Sequence, residues 1–536
     1  MSIVGNIVKP WPVLLSILAS CDSGDFACPA DRPVFEPRRG CVAPAVSPPA
    51  ALQYSAVIVT DEPLTDAFAR LAHLHTLTGA PTQVVTVREI CGANGTLCQE
   101  GNACNDTARA IKDFLVQRQA AGLRYAILGG GTSVVPSRQT SDFYANVLLG
   151  VSLQESFCTD HYFADLSDWD GNGDCVYGDA AGDSPDYLPE LAVTRIPATS
   201  ASELDAYIAK VELYLTAYDP TRVETALFLS NLAAASIPVD SALYLETPGR
   251  TLSLLPDDFA VTKLYSTRSD QPDATPLTLA SETAALEHGA NLVIHAGHGS
   301  TGNLTAEPDG SNAFSAAMAH ALRNSQFPIM LSCACQAAAF ANRDGCAGAS
   351  FVMAPHGGGI GYLGNSTTGL GLAGGVQFID EFLKHAFASP SVLTGDAVAA
   401  GHANLPKSDT FVFSGLPALG TLSVPVIDEN AWRWTQKAVT YLGDGLLPIY
   451  TNSAIVPAPA FTVGSERTGS FVRITFQPTR PVSGTLTVTI AGNLYRIALT
   501  EEDPRASLTV AGSPSDLWYG FSSLSTLASY QHAILP

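Results

Sequence analysis

Apolar positions recur along the chain in two rhythms, and the change between them divides it. From Tyr54 onward, short unbroken apolar runs alternate with segments whose apolar residues return every three or four positions. Residues 55–60, 83–87 and 125–130 read as strands, and 64–77 and 107–119 as helices. A further helix over 203–215 places Leu204, Tyr207, Ile208, Val211 and Leu215 on one face. Residues 224–290 continue the alternation, 358–364 is a glycine-laced strand, and 370–387 contains a helix. Alternating strands and helices of this kind predict an α/β fold with a mostly parallel sheet.

Past about residue 421 the rhythm changes. Residues 428–442, with Trp432 and Trp434, form a connecting helix or strand. Beyond residue 458 the period falls to two: Val472, Ile474 and Phe476 alternate with polar residues, as do Leu486, Val488 and Ile490, then Tyr495, Ile497 and Leu499, then Leu508 and Val510. Short alternating strands punctuated by Pro and Gly predict a small β-sandwich.

Two of the apolar runs end in reactive side chains. Residues 291–300 (Asn-Leu-Val-Ile-His-Ala-Gly-His-Gly-Ser) read as a buried strand that breaks at glycines, with His295 inside it and His298 at its end. Residues 328–336 (Pro-Ile-Met-Leu-Ser-Cys-Ala-Cys-Gln) do the same for Cys333 and Cys335. Between them Phe314, Ala317, Met318, Ala321 and Leu322 have helical spacing, so the stretch predicts a strand–helix–strand unit with parallel strands. Open α/β sheets gather their reactive groups at the carboxyl ends of strands. A histidine and a cysteine on one rim make a thiol nucleophile with its base. Strand side chains alternate, so Cys333 and Cys335 share a face. Cys335 and His298 lie farther toward the rim, with Cys333 and His295 as the alternatives.

Composition narrows the setting. The 536 residues carry a formal charge of −22, which argues against nucleic-acid or anionic-membrane partners. Eleven cysteines are many for a reducing compartment. Apart from Cys21 and Cys335 they form an odd set, and Cys28 with Cys41 and Cys158 with Cys175 are close enough in sequence for local bridges. Residues 1–21 combine Lys9, a short apolar run and Leu-Ala-Ser-Cys ending at Cys21, the shape of a lipoprotein signal in which Cys21 is lipidated. Residues 22–50 read as a tether. The expected organisation is then 51–223 as a first α/β subdomain, 224–425 as a catalytic α/β subdomain, and 426–536 as connector and sandwich.

Residues 168–179 hold Asp168, Asp170, Asn172 and Asp174 at loop positions 1, 3, 5 and 7, Gly173 at position 6 and Asp179 at position 12. Oxygen ligands at alternate positions suit a hard cation, so a structural Ca²⁺ is the expected cofactor. Asp replaces the usual Glu at position 12, and helices do not obviously flank the loop.

His298-Gly-Ser300 followed by Ser332-Cys-Ala-Cys335 resembles the gingipain-type cysteine peptidases, relatives of caspases and legumains. The likeness extends over about residues 54–420 and includes the 186–195 strand and the 358–368 strand and loop; the sandwich falls where gingipains carry an immunoglobulin-like domain. It implies a caspase-like α/β fold in two halves plus the sandwich, with Cys335 as nucleophile and His298 as acid and base. It also implies oxyanion donors at Gly299 and Cys335 and a supporting carboxylate at Glu190. The resulting expectation is an extracytoplasmic endopeptidase acting on protein or peptide substrates. A catalytically silent binding protein and a thiol transpeptidase are the other readings of the same residues.

Overall fold

A computed structural model describes residues 34–36, 40–42, 46–47 and 53–535, apart from 93–97, 99–103, 105, 147–150, 180–181, 218, 235–236, 267–272, 308, 390, 417–419, 453 and 525. Cys21, the signal segment and the Cys28–Cys41 pairing lie outside the described residues.

Eleven strands form one sheet, in the order Ala274–Pro276, Ala260–Tyr265, Thr225–Ser230, Leu292–Ala296, Ile329–Ser332, Gly361–Asn365, Val439–Gly443, Ala192–Ile196, Tyr125–Gly129, Ala56–Thr60 and Thr82–Thr86. Ladders within each half are parallel. The halves meet where Gly361–Asn365 pairs antiparallel with Val439–Gly443, which in turn runs parallel to Ala192–Ile196. Strands covered on both faces need apolar residues at every position. Ala56–Thr60, Tyr125–Gly129, Leu292–Ala296 and Ile329–Ser332 are buried throughout.

The junction strand corrects the expected domain boundary. Residues beyond 425 do not simply connect: Glu429–Ala438 is a helix, and Val439–Gly443 enters the middle of the sheet. The helix begins at an Asp428 cap whose carboxylate accepts the Ala431 N–H.

The segment between the histidine and cysteine strands also differs from expectation. His298–Ser300, Asn303–Ala306 and Phe314–Ser315 form a small three-stranded sheet, and only Ala316–Ala321 is helical. Phe314 is buried as a strand residue, so its helical spacing from Met318 was coincidental. The parallel pairing of the two flanking strands stands, with His295 opposite Ser332.

The long hairpin Arg138–Asn146 with Val151–Thr159 lies across the junction. Its Asp142, with a fully buried side chain, binds Arg433 at 2.8 Å and Lys437 at 2.8 Å on the junction helix. Cys158 is a free thiol, and Cys175 pairs instead with Cys104; Cys91 pairs with Cys98. The expected Cys158–Cys175 bridge is therefore replaced by one that ties the acidic loop to the segment before helix Thr107–Gln119.

Residues 461–534 form the sandwich, a three-stranded and a four-stranded antiparallel sheet around a separate apolar core. It sits against helix Thr65–Leu77, where a Cβ on Gly520 would come within 2.4 Å of the Leu77 carbonyl oxygen.

Candidate active site

The histidine strand ends at Ala296, and Gly297 turns the chain into the small sheet that carries His298. His298 pairs with Ala306 across that sheet. The cysteine strand ends at Ser332; the Cys333 N–H donates to the His295 carbonyl at 3.2 Å, and Ala334 and Cys335 follow. A Cβ placed on Gly299 would lie 2.8 Å from the Ala334 Cβ and 3.0 Å from the Asn303 carbonyl oxygen. The His298–Gly299 turn and the Ala334–Cys335 turn therefore abut. Glycine at 299 is required by this close packing as well as by any substrate approach.

Cys335 is half-buried, and its thiol lies 3.5 Å from the Gly369 carbonyl oxygen. Burial pushes the thiol up from its ordinary value, and the Glu155 carboxylate pushes in the same direction, while the Gly369 contact opposes them. The chain then turns through Gln336 at φ +56°, whose N–H donates to the Thr367 carbonyl at 2.8 Å. Asn365 holds the Ala334 carbonyl at 3.0 Å.

Cys333 and His295 occupy the interior. Cys333 is buried against Gly375, and burial raises its thiol to about 11. His295 is fully buried between Ser332 and Asn231, and burial drives its imidazole down to about 3.

Glu190, the expected supporting carboxylate, is bonded to the backbone that follows helix His161–Ala164. Its Oε2 accepts the Leu166 N–H at 2.7 Å, and burial together with Asp165 and Asp186 raises its carboxyl. Glu155 is the carboxylate set beside the thiol. It projects from the long hairpin and accepts the Thr367 hydroxyl, the Thr368 hydroxyl at 2.5 Å and the Thr368 N–H at 3.3 Å. Nothing near Glu155 in sequence marks it; only the hairpin's fold brings it to residues more than two hundred positions away. Next to this contact a cavity of about 460 Å³ is lined by Glu155, Phe157, Cys158, Thr301, Gln336 and Phe340, among others.

In the acidic loop the expected ligands are turned onto their own backbone. Asp168 accepts the Asp170 N–H, Asp170 the Cys175 N–H, and Asp174 both the Val176 N–H and the Asn172 amide. Asp179 accepts the Gly182 N–H. Gly173 has the positive φ expected of the turn position, +75°. Among the described residues no three His, Cys, Asp or Glu side chains form a metal-holding group. Asp183, which the spacing did not select, is buried with Oδ1 unpaired, and a Cβ on Gly171 would lie 4.0 Å from that oxygen.

Fold and site together define an α/β protein in which a histidine turn and a cysteine turn meet at the ends of adjacent parallel strands. The model of peptidase family C25 matches residues 50–450, and the chain belongs to that family. Among solved structures it is similar to the Arg-specific cysteine proteinase gingipain R (TM-score 0.58, 13% identity, covering 91% of this chain and 100% of that one). It is also similar to the complex of the RgpB pro- and mature domains from Porphyromonas gingivalis (TM-score 0.58, 13% identity, 90% and 100%). An uncharacterized protein of Archaeoglobus fulgidus is 25% identical over 301 residues, which span 53% of this chain and 66%, just under two thirds, of that relative. The chain thus has the gingipain-family cysteine peptidase fold.

Proposed function

We propose that the protein is an extracytoplasmic cysteine endopeptidase in which Cys335 is the nucleophile and His298 the acid and base. The observation that carries this reading is the contact of Gly299 with Ala334, which sets the two reactive turns against each other. Burial raises the Cys335 thiol and so favours its protonated form, which a base would have to offset for attack. In the proposed reaction His298 takes the thiol proton as Sγ bonds to the scissile carbonyl carbon. The same proton then goes to the leaving amine, and water hydrolyses the thioester. The N–H groups of Gly299 and Cys335 are the proposed oxyanion donors. Glu155 is a better-placed supporting carboxylate than Glu190, because it both borders the thiol electrostatically and fixes the loop that holds Gly369.

Labelling with a peptidyl acyloxymethyl ketone tests the assignment: wild type takes up the probe, and Cys335→Ala and His298→Ala do not. A wild type that stays unlabelled favours the silent binding protein.

A structural Ca²⁺ in the acidic loop is part of the proposal, supported by the ligand spacing and by the unpaired buried oxygen of Asp183. Bound there, the ion would offset the repulsion among Asp168, Asp170, Asp174, Asp179 and Asp183, with Asn172 as a neutral ligand. Calcium at a hundred times its dissociation constant adds about 2.7 kcal/mol. Thermal unfolding should therefore rise by a few degrees over EGTA in wild type and not in Asp174→Ala. An equal response in both leaves the loop as a self-bonded turn.

The extracytoplasmic setting rests on the Cys91–Cys98 and Cys104–Cys175 disulfides and the signal-like segment. Lipid anchoring through Cys21 predicts that Cys21→Ala moves the protein from the membrane fraction to the soluble fraction.

A further inference from the structure

Beneath the two reactive turns runs a buried chain of hydrogen bonds that the proposed reaction leaves unused. His295 Nε2 lies 3.1 Å from Asn231 Oδ1, and His295 Nδ1 lies 2.9 Å from Ser332 Oγ. The Asn231 oxygen can only accept, so Nε2 carries the proton and Nδ1 is the acceptor. The Ser332 hydroxyl then donates to Nδ1, which leaves its oxygen to accept the Ala334 N–H at 3.1 Å. At the other end Asn231 Nδ2 donates to Ser266 Oγ at 3.2 Å and to Glu307 Oε1 at 3.3 Å, and Ser266 donates to the same carboxylate oxygen. The direction of donation is thus fixed from the Ala334 N–H through Ser332 and His295 to the Asn231 oxygen, while the Ser266 hydroxyl also has the Ser230 carbonyl as an acceptor at 3.3 Å.

The chain touches both reactive arms. Its Ser332 end holds Ala334, the residue before Cys335. Its middle presses on Gly297, the residue before His298: a Cβ there would lie 2.5 Å from Asn231 Oδ1 and 2.9 Å from His295 Nε2. The Asn231 N–H is also tied to the Ala296 carbonyl at 3.1 Å. Asn231, His295 and Ser332 are each almost wholly buried, so solvent does not compete for these bonds.

We propose that Ser332, His295 and Asn231, terminated by Glu307, are positioning residues that fix the spacing and orientation of the His298 and Cys335 turns. None touches substrate; they act through Ala334 and Gly297. A fully satisfied buried network specifies one arrangement, and losing one member leaves its neighbour's polar group unpaired. Small misplacements of reacting groups cost large factors in rate.

The inference rests on the peptidase reading, and the test separates the two. In wild type and in Ser332→Ala, Ser332→Thr and Glu307→Ala, the maximal rate of Cys335 modification by the acyloxymethyl ketone is measured apart from the half-saturating concentration, with thermal unfolding on the same samples. The expected result for Ser332→Ala is a maximal rate lower by roughly tenfold or more, with the half-saturating concentration unchanged. Ser332→Thr, which keeps the hydroxyl, restores most of that rate. Glu307→Ala, at the partly exposed end, gives a smaller loss in the same parameter and serves as the decisive variant if Ser332→Ala does not fold. Unlabelled wild type overturns the peptidase reading itself. Labelled wild type with unchanged maximal rates in the folded variants, or losses confined to unfolding temperature, overturns the positioning role alone.

Discussion

Cys333 and Cys335 stand two positions apart and share a strand-end sequence, yet their surroundings give them different chemistry. Cys333 is packed in the core with its thiol raised to about 11, whereas Cys335 is half-buried at the rim. Cys333→Ala should therefore keep probe labelling while costing about 1 kcal/mol, the scale of a small core truncation; denaturant titration and labelling of one preparation check both parts. Their difference in burial was legible from strand direction, which put Cys335 nearer the rim than Cys333. Glu155 was not, because a carboxylate on a polar-looking hairpin has no local signal for a partner at Thr367.

A second residue-scale prediction concerns acid stability. His161 and His402 stack at 4.0 Å in the interior, where His161 donates to the Tyr187 carbonyl and His402 to the Gln436 amide oxygen. Burial is the main cause that lowers both imidazoles, His161 to about 4. A base whose folded value is depressed favours the folded state while neutral, so the unfolded chain takes up the proton first as pH falls. The contribution of His161 to stability should be constant above about pH 6.5 and fall between about 6.5 and 4, by on the order of 3 kcal/mol. Urea midpoints across that range in wild type and His161→Phe measure it. A slope no smaller in the variant removes His161 from the account.

At the scale of elements, the doubly buried strands were readable because they are continuous apolar runs. The junction strand Val439–Gly443 was harder to place, since its sequence neighbours in the sheet come from residues 192–196 and 361–365. The helix expected over 314–322 is confined to Ala316–Ala321 for a related reason, with Phe314 in a strand. Apolar spacing of three and four fits a helix, but a buried residue in a tight three-stranded sheet can fall on the same positions.

The long hairpin is the element that joins these parts. Asp142 faces Arg433 and Lys437 in the interior, so Asp142→Ala leaves buried cations unpaired and should cost about 3–5 kcal/mol, read from chemical denaturation. Farther along the hairpin, Glu155 raises the Cys335 thiol. Replacing it with Gln removes the negative charge, so the pH profile of Cys335 alkylation should move to lower pH. An unchanged profile would show that the carboxylate acts on the loop and not on the thiol.

Considered as a whole, the molecule couples an eleven-stranded sheet to a sandwich that has its own core. The period change near residue 458 announced the second unit, and the switch is physical: a sheet with one wet face alternates, while a sheet covered on both faces does not. Contacts between the units came only from the structure. Gly520 abuts the Leu77 carbonyl, and Ser47 exchanges hydrogen bonds with Thr509 on the sandwich edge. Family membership and fold bring the molecule to the cysteine peptidases, and its activity turns on one pair of side chains. The most direct measurement is labelling of the intact protein with a peptidyl acyloxymethyl ketone, followed by mass-spectrometric location of the adduct. The expected result is a single thioether on Cys335 that forms only when His298 is present. An adduct on Cys333 or Cys158, or labelling of Cys335 that is indifferent to His298→Ala, would contradict it.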